Sequence, residues 1–301
     1  MRYGFIGLGN LGSKLAASLV RSGFDMSVHD LCAEAAAPLI AKGAKWAATP
    51  KALARNVDAV FTCLPSPEIS RRVLTGEDGV LAGLASGSDW IEMSTNDRET
   101  IEGLAKIAAA HGIATLESPV TGGVHLADRG EITIIIGGDA GVLARHRPAL
   151  SAMGKEIFHV GPIGSASVIK VITNMLAFVH LVAAGEALML AKRCGLDLAQ
   201  AFHVIKASSG NSFVHETESQ LILNGSYNIN FTIDLAVKDL GFAMKLGRDF
   251  GVPLDLAALT TQTFIRAREA YGGGDWSTKV VKLLEDTLHI DLRAPGFPSE
   301  L

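Results

Sequence analysis

Lys170 and Asn174 stand four residues apart within "GPIGSASVIKVITN", residues 161 to 174. On a helix that spacing places both side chains on one face. An ammonium in so apolar a run is costly unless its charge is paired or its pKa falls, so its presence asks for a reason. One reason is chemistry. A lysine of lowered pKa can take the proton of a substrate hydroxyl while a nicotinamide takes the hydride, and a neutral amide beside it can hold the same oxygen. The plain alternative is a lysine snorkelling from a helix start and an asparagine facing a loop.

A second constellation opens the chain. "YGFIGLGNLGSKLAASLVRSG", residues 3 to 23, sets Gly7, Gly9 and Gly12 between an apolar strand and an amphipathic helix read over 11–22. In a chain with 32 glycines the spacing alone is weak, and the strand–turn–helix context gives it meaning. There Gly7 permits a tight turn, Gly9 lets a phosphate approach the backbone, and Gly12 lets helix and strand pack closely. The loop Gly7-Leu8-Gly9-Asn10-Leu11-Gly12 is thus a cradle for a pyrophosphate at a helix N-terminus. The next strand ends at Asp30, about 20 residues on, where a carboxylate accepts hydrogen bonds from adenosine ribose hydroxyls and repels a 2′-phosphate. No arginine follows at 31 or 32, which predicts NAD over NADP. The alternative for Asp30 is a helix N-cap for residues 33–42. A P-loop is excluded, because Gly12-Ser13-Lys14 has the wrong order.

A third stretch, "ESPVTGG" from Glu117 to Gly123, follows a strand at the carboxyl edge of a sheet, where open α/β sheets bind ligands. Gly122 and Gly123 leave backbone N–H groups uncovered and Thr121 adds a hydroxyl, a nest for a substrate carboxylate. By itself the segment also reads as a plain loop. His125, and Ser212 and His215 in the loop "SGNSFVHE", are further candidates to line a substrate, against the commoner surface or core histidine. His215-Glu216 is no zinc motif, because Ser219 stands where a second histidine is required. No metal site is expected. Glu186, about 160° around the helix from Lys170, reads as a structural carboxylate.

Up to about residue 160 strands at 2–6, 26–29, 58–63, 89–93, 113–116, 131–136 and 156–159 alternate with helical stretches. That alternation predicts a doubly wound parallel sheet with helices on both faces. Thr49-Pro50 and Ser66-Pro67 each set a capping hydroxyl before a first-turn proline. From 165 to 193 the chain reads as one helix of roughly 43 Å, followed by helical runs at 198–207, 233–250, 254–271 and 278–288. The expectation is an α/β chain with a Rossmann-type domain over 1–162 and an all-α domain over 163–301, joined by that helix.

Of the 301 residues 48% are apolar and 19% charged, and so few charges on the long helix require other elements, or other subunits, to cover it. A net charge of −4 and the lack of basic clusters interleaved with aromatics exclude a nucleic-acid partner. Three scattered cysteines without a CxxC suit reduced thiols in a cytoplasm. The longest uncharged stretch, 171–185, falls short of the ~20 residues that cross a bilayer, so no membrane partner is expected.

Together, "GFIGLGNLG", "CLPSP", "EMST", "SPVTGG", "GPIGSASVIKVITN" and "VKDLGFAMKLGRDFGVPL" resemble, in order, the β-hydroxyacid dehydrogenase family, which includes 3-hydroxyisobutyrate dehydrogenases and tartronate semialdehyde reductases. The resemblance implies that Lys170 is the catalytic acid/base, that Asn174 positions the substrate oxygen, and that Thr121, Gly122 and Gly123 bind its carboxylate. It also implies that Leu64, Pro65 and Thr95 line the cofactor, and that Lys238 reaches the nicotinamide side from the helical domain with Phe231 beside it. A homodimer or homotetramer is implied as well, acting on a small carboxylate-bearing substrate. Leu11 replaces the usual Met, a volume-conserving change. Thr121 stands where Ser is commoner and Thr173 where Asn often is, and both changes touch the substrate pocket. Two other readings of the scaffold, an imine reductase and a catalytically silent dinucleotide-binding protein, go with relatives that replace or lose the lysine.

Overall fold

Apolar runs ended by turn residues form the strands of the first unit, Met1–Lys170, in the computed structural model, which describes residues 1–301. These are β1 (Arg2–Ile6), β2 (Asp25–His29), β3 (Lys45–Trp46), β4 (Ala59–Thr62), β5 (Asp89–Glu92), β6 (Ala114–Glu117), β7 (Val120–Thr121), β8 (Ile132–Gly138) and β9 (Gly154–Gly161). Between them run α1 (Gly12–Arg21), α2 (Ala37–Ile40), α3 (Pro50–Ala54), α4 (Pro67–Thr75), α5 (Arg98–Ala110), α6 (Val124–Arg129) and α7 (Ala140–Met153). The sheet order is β3-β2-β1-β4-β5-β6-β8-β7 with β9 against β8, and the first six strands are parallel. That order is the Rossmann arrangement.

Successive strand residues serve opposite faces. Phe5 joins Leu15, Leu19 and Met26 in one core, whereas Ile6 joins Leu53, Leu74 and Trp90 in another. Each such fully buried side chain contributes about 1.5–3 kcal/mol. The capping hydroxyls act as read: Thr49 accepts from Ala52 N at 3.1 Å and Ser66 from Ile69 N at 3.3 Å.

Beyond β6 the sheet departs from the expected parallel alternation, because β8 runs antiparallel to both β6 and β7. Only residues 122 to 131 separate β7 from β8, short of the dozen or more a parallel crossover needs. β3 and β7, each of two residues, are too short to show a strand's period in sequence.

The helix α8 (Ser165–Arg193) has the predicted limits and continues into the second unit, Val171–Leu301. There follow α9 (Leu198–Lys206), α10 (Phe213–Asn224), α11 (Ile233–Asp249), α12 (Asp255–Tyr271) and α13 (Lys282–Leu288). Phe178, Leu188, Phe202, Ile222, Leu240 and Phe264 centre its core. "SGNSFVHE" is not a loop throughout. Ser212 Oγ accepts from His215 N at 3.0 Å and starts α10. The tail after Leu288 is also fixed: Leu292 N and Arg293 Nη1 donate to Glu285 at 2.7 and 2.8 Å, and Phe297 packs edge-on to Phe202 at 4.9 Å. Mean hydropathy over the most apolar 18 residues of α8 is 1.8, enough in length and composition to cross a membrane, and 33% of that window is buried. Ile169, Ile172 and Leu176 form an exposed stripe along it.

Candidate active site

In the first unit the glycine loop leaves the end of β1 as the sequence requires. Gly7 has φ +96°, and a Cβ there would meet Cys63 O at 2.2 Å. A Cβ on Gly12 would meet Gly7 O at 2.0 Å, whereas one on Gly9 meets nothing within 4 Å. Two of the glycines are therefore demanded by the chain's own backbone, and the third lies under open space. No side chain caps α1, whose first turn follows that space and carries no acid. Uncapped N–H groups and a bare backbone fit a dinucleotide pyrophosphate.

Asp30, half-buried beyond β2, accepts from Leu8 N at 2.6 Å and from Cys32 N at 2.9 Å. It caps no long helix: a short 3-10 turn begins at Ala33, and α2 is only Ala37–Ile40. Its carboxylate instead ties the glycine loop to the end of β2.

The ends of β4 and β5 are joined by a buried network. Trp90 Nε1 donates to Thr62 Oγ1 at 2.8 Å; Thr62 Oγ1 donates to Glu92 Oε2 at 2.9 Å; Ser94 N donates to Glu92 Oε1 at 2.7 Å; and Leu64 N donates to Ser94 Oγ at 2.7 Å. The network thereby fixes Leu64 and the segment leading to Thr95. Pro65 is exposed, just before the Ser66 cap. Burial pushes the Glu92 carboxyl up to about 7 against the bonds from Ser94 and Thr62. The Cys63 thiol is pushed up to about 12 by burial and by Glu92, while the Lys170 ammonium acts on it in the opposite sense. Asn96, one residue past Thr95, is 1% exposed and has no hydrogen-bond partner at either amide atom. The sequence offers no sign of this, since an asparagine between Thr95 and the α5 cap Asp97 reads as loop.

At the end of β7, Thr121 leads into Gly122 and Gly123, with φ +119° and +89°. A Cβ on Gly123 would lie 3.1 Å from the His125 ring, so that imidazole folds back on the turn. Burial and Arg129 lower its pKa. Just before this turn Glu117, buried at the end of β6, accepts from Ala166 N, Ser167 N and Ser167 Oγ in the first turn of α8. Lys170 follows one turn later and is 8% exposed.

Asn174, 9% exposed on the same helix, belongs to the second unit. Its Nδ2 donates to Asp239 Oδ2 at 2.6 Å, and Lys238 Nζ donates to Asp239 Oδ1 at 2.6 Å. Asp239, fully buried in "VKDL", is the residue that joins the two, a link invisible in a sequence where it only neighbours Lys238. Phe231 lies 6.0 Å from the Phe178 ring, and Lys238 sits 4.9 Å over Phe242. His215 is a core residue, bonded to Phe202 O at 3.0 Å and to Ser219 at 3.2 Å. No group of three or more metal-ligating side chains is assembled.

Residues 2–161 match the family model described as the NAD binding domain of 6-phosphogluconate dehydrogenase, and residues 164–284 that described as NAD-binding of NADP-dependent 3-hydroxyisobutyrate dehydrogenase. The 2-(hydroxymethyl)glutarate dehydrogenase of Eubacterium barkeri is 34% identical over 286 residues, covering 95% of each chain. The crystal structure of 3-hydroxyisobutyrate dehydrogenase from Salmonella typhimurium superimposes with a TM-score of 0.88 at 32% identity, over 94% of this chain and 99% of that one. An imine reductase from Myxococcus stipitatus, at 18% identity and a TM-score of 0.63 over 94% of this chain and 100% of that one, shares the fold.

Proposed function

The chain belongs to the 3-hydroxyisobutyrate dehydrogenase-like β-hydroxyacid dehydrogenases, oxidoreductases that use NAD(P), and from that membership we propose that it interconverts the hydroxyl of a small β-hydroxy acid and the corresponding semialdehyde, with NAD as cofactor and Lys170 as general acid/base. The glycine loop, Asp30, Leu64, Pro65 and Thr95 hold the dinucleotide, with Lys238 and Phe231 on its nicotinamide side. When bound, that ring supplies the hydride acceptor for oxidation and the donor for reduction. Thr121, Gly122 and Gly123 take the substrate carboxylate and Asn174 its oxygen. Lys170 accepts the hydroxyl proton in oxidation and returns it to the carbonyl oxygen in reduction.

One observation carries the assignment: Lys170, only 8% exposed, stands one turn into α8, whose start is hydrogen-bonded to Glu117 at the strand end that leads into Thr121-Gly122-Gly123. The exposed stripe of Ile169, Ile172 and Leu176 supports a homodimer or homotetramer, and the scattered free thiols support a cytoplasmic site of action. Lys170→Ala is expected to lower kcat by about 10²–10⁴-fold while NADH binding survives. Turnover would be followed across a panel of C3 to C5 hydroxy acids and semialdehydes including 3-hydroxyisobutyrate, tartronate semialdehyde, threonate and serine, and an unchanged kcat refutes the assignment.

A further inference from the structure

We propose that Glu117 is a positioning residue for the reacting lysine: its carboxylate fastens the first turn of α8 to the end of β6 and so sets where the Lys170 ammonium is held. The proposal rests on the acid–base role assigned to Lys170 above. Glu117 is 1% exposed and ends β6. It accepts from Ala166 N at 2.8 Å, Ser167 N at 3.2 Å and Ser167 Oγ at 2.8 Å. The first N–H groups of a helix have no partner within it, and an anion there also meets the positive end of the helix dipole. A single side chain thus satisfies two of those donors and pins the helix start to a strand 49 residues earlier in the chain.

Two further features show that this joint is built into the site. Lys170 follows Ala166 by four residues, so it projects from the same side of α8 one turn on. From Glu117 the chain runs through Ser118-Pro119-Val120 straight into Thr121-Gly122-Gly123, so the strand end that holds the lysine's helix also carries the turn assigned to the substrate carboxylate. The distance between the proton-transfer group and the carboxylate turn is therefore fixed by one rigid connection. The neighbouring strand makes room for it: Gly137, paired with Glu117 in the β6–β8 register, has no side chain, and a Cβ there would lie 2.1 Å from Glu117 Oε1. Burial raises the Glu117 pKa while the bonds from Ser167, Ala166 and Gly164 oppose that shift, so the carboxylate is desolvated for the sake of these bonds.

A residue that acts through Lys170 has no separate effect once Lys170 is gone, and a double-mutant cycle reads this directly. Glu117→Gln turns one acceptor oxygen into an amide donor facing the helix N–H groups. Its kcat is expected to fall about 10–100-fold, the cost of misplacing a catalytic group by roughly 1 Å, with the NADH Kd within about 2-fold of wild type. In the Lys170→Ala background the same change should cost less than about 2-fold. The rates would be measured on whichever acid or semialdehyde of the panel turns over best. Should Glu117→Gln not fold, Ser167→Ala removes one donor from the other side of the joint and carries the same cycle with an expected drop of about 2–5-fold. A Glu117→Gln kcat within 2-fold of wild type overturns the proposal, and so does an effect that multiplies undiminished onto Lys170→Ala. Normal turnover by Lys170→Ala alone overturns the acid–base role itself, which keeps the two failures distinct.

Discussion

Asp30→Asn separates the two jobs of one carboxylate. In the structure its oxygens receive the Leu8 and Cys32 N–H groups, and in the proposed complex it also accepts from the adenosine ribose hydroxyls. A hydrogen bond to a charged acceptor contributes about 1.5–3 kcal/mol, and the lower value suits a half-buried group screened by solvent. Asparagine keeps one acceptor oxygen and turns the other atom into a donor, so about one ribose bond, or ~1.5 kcal/mol, is lost, which at 1.4 kcal/mol per decade weakens NAD about tenfold. NADP gains over the same change, because the charge facing its 2′-phosphate is removed. The ratio of kcat/KM for NAD over NADP should therefore fall by about 10–100-fold. Initial rates with both cofactors, dissociation constants from nicotinamide fluorescence and a thermal midpoint to show that the loop still folds make up the assay. A ratio within about 2-fold of wild type refutes the placement of the ribose at Asp30.

The glycine loop yields a contrast. Gly9→Ala should leave the cofactor-free melting temperature within about 1 °C, since its Cβ meets nothing, yet weaken NADH at least about tenfold; Gly12→Ala, whose Cβ would strike Gly7 O, should lower the melting temperature by several degrees. Equal effects of the two on stability would contradict the geometry. Glu92 has its folded pKa raised from 4.5 to about 7, so the extra proton held by the native state stabilises it below about pH 4.5, and that stability is lost as pH rises to about 7. Relative to Glu92→Gln, wild type should lose about 3 kcal/mol across that window in urea titrations, and a difference that does not vary with pH would count against the buried carboxyl.

Local signals were legible because their causes lie within a few residues. The limits of α8, the Thr49 and Ser66 caps and the backbone demands at Gly7 and Gly12 follow from chain chemistry that spans one or two turns. α10 was obscured because Ser208, Gly210 and Asn211 read as loop up to the residue that caps it. Its start signal, Ser212 with Glu216 in the first turn, stands directly against them. The antiparallel edge at β8 depends on a connection's length, and the bonds that Glu117, Asp239 and Glu285 accept from Ala166, Asn174 and Tyr227 each join segments brought together only by the fold. Among the carboxylates that fasten these segments, Asp30 was marked by its spacing from the glycine loop, whereas Glu117 and Asp239 had no local signal to mark their partners.

The Cys63 thiol has a practical consequence for anyone wishing to modify this protein. A sulfur that ionises only near pH 12 is a poor nucleophile toward maleimides or peroxide at neutral pH, whereas Cys32 and Cys194 lie on the surface. In a Cys194→Ser variant a dye can be coupled at Cys32, two residues from Asp30, to report optically on the proposed ribose position, while the Cys63 sulfur stays untouched.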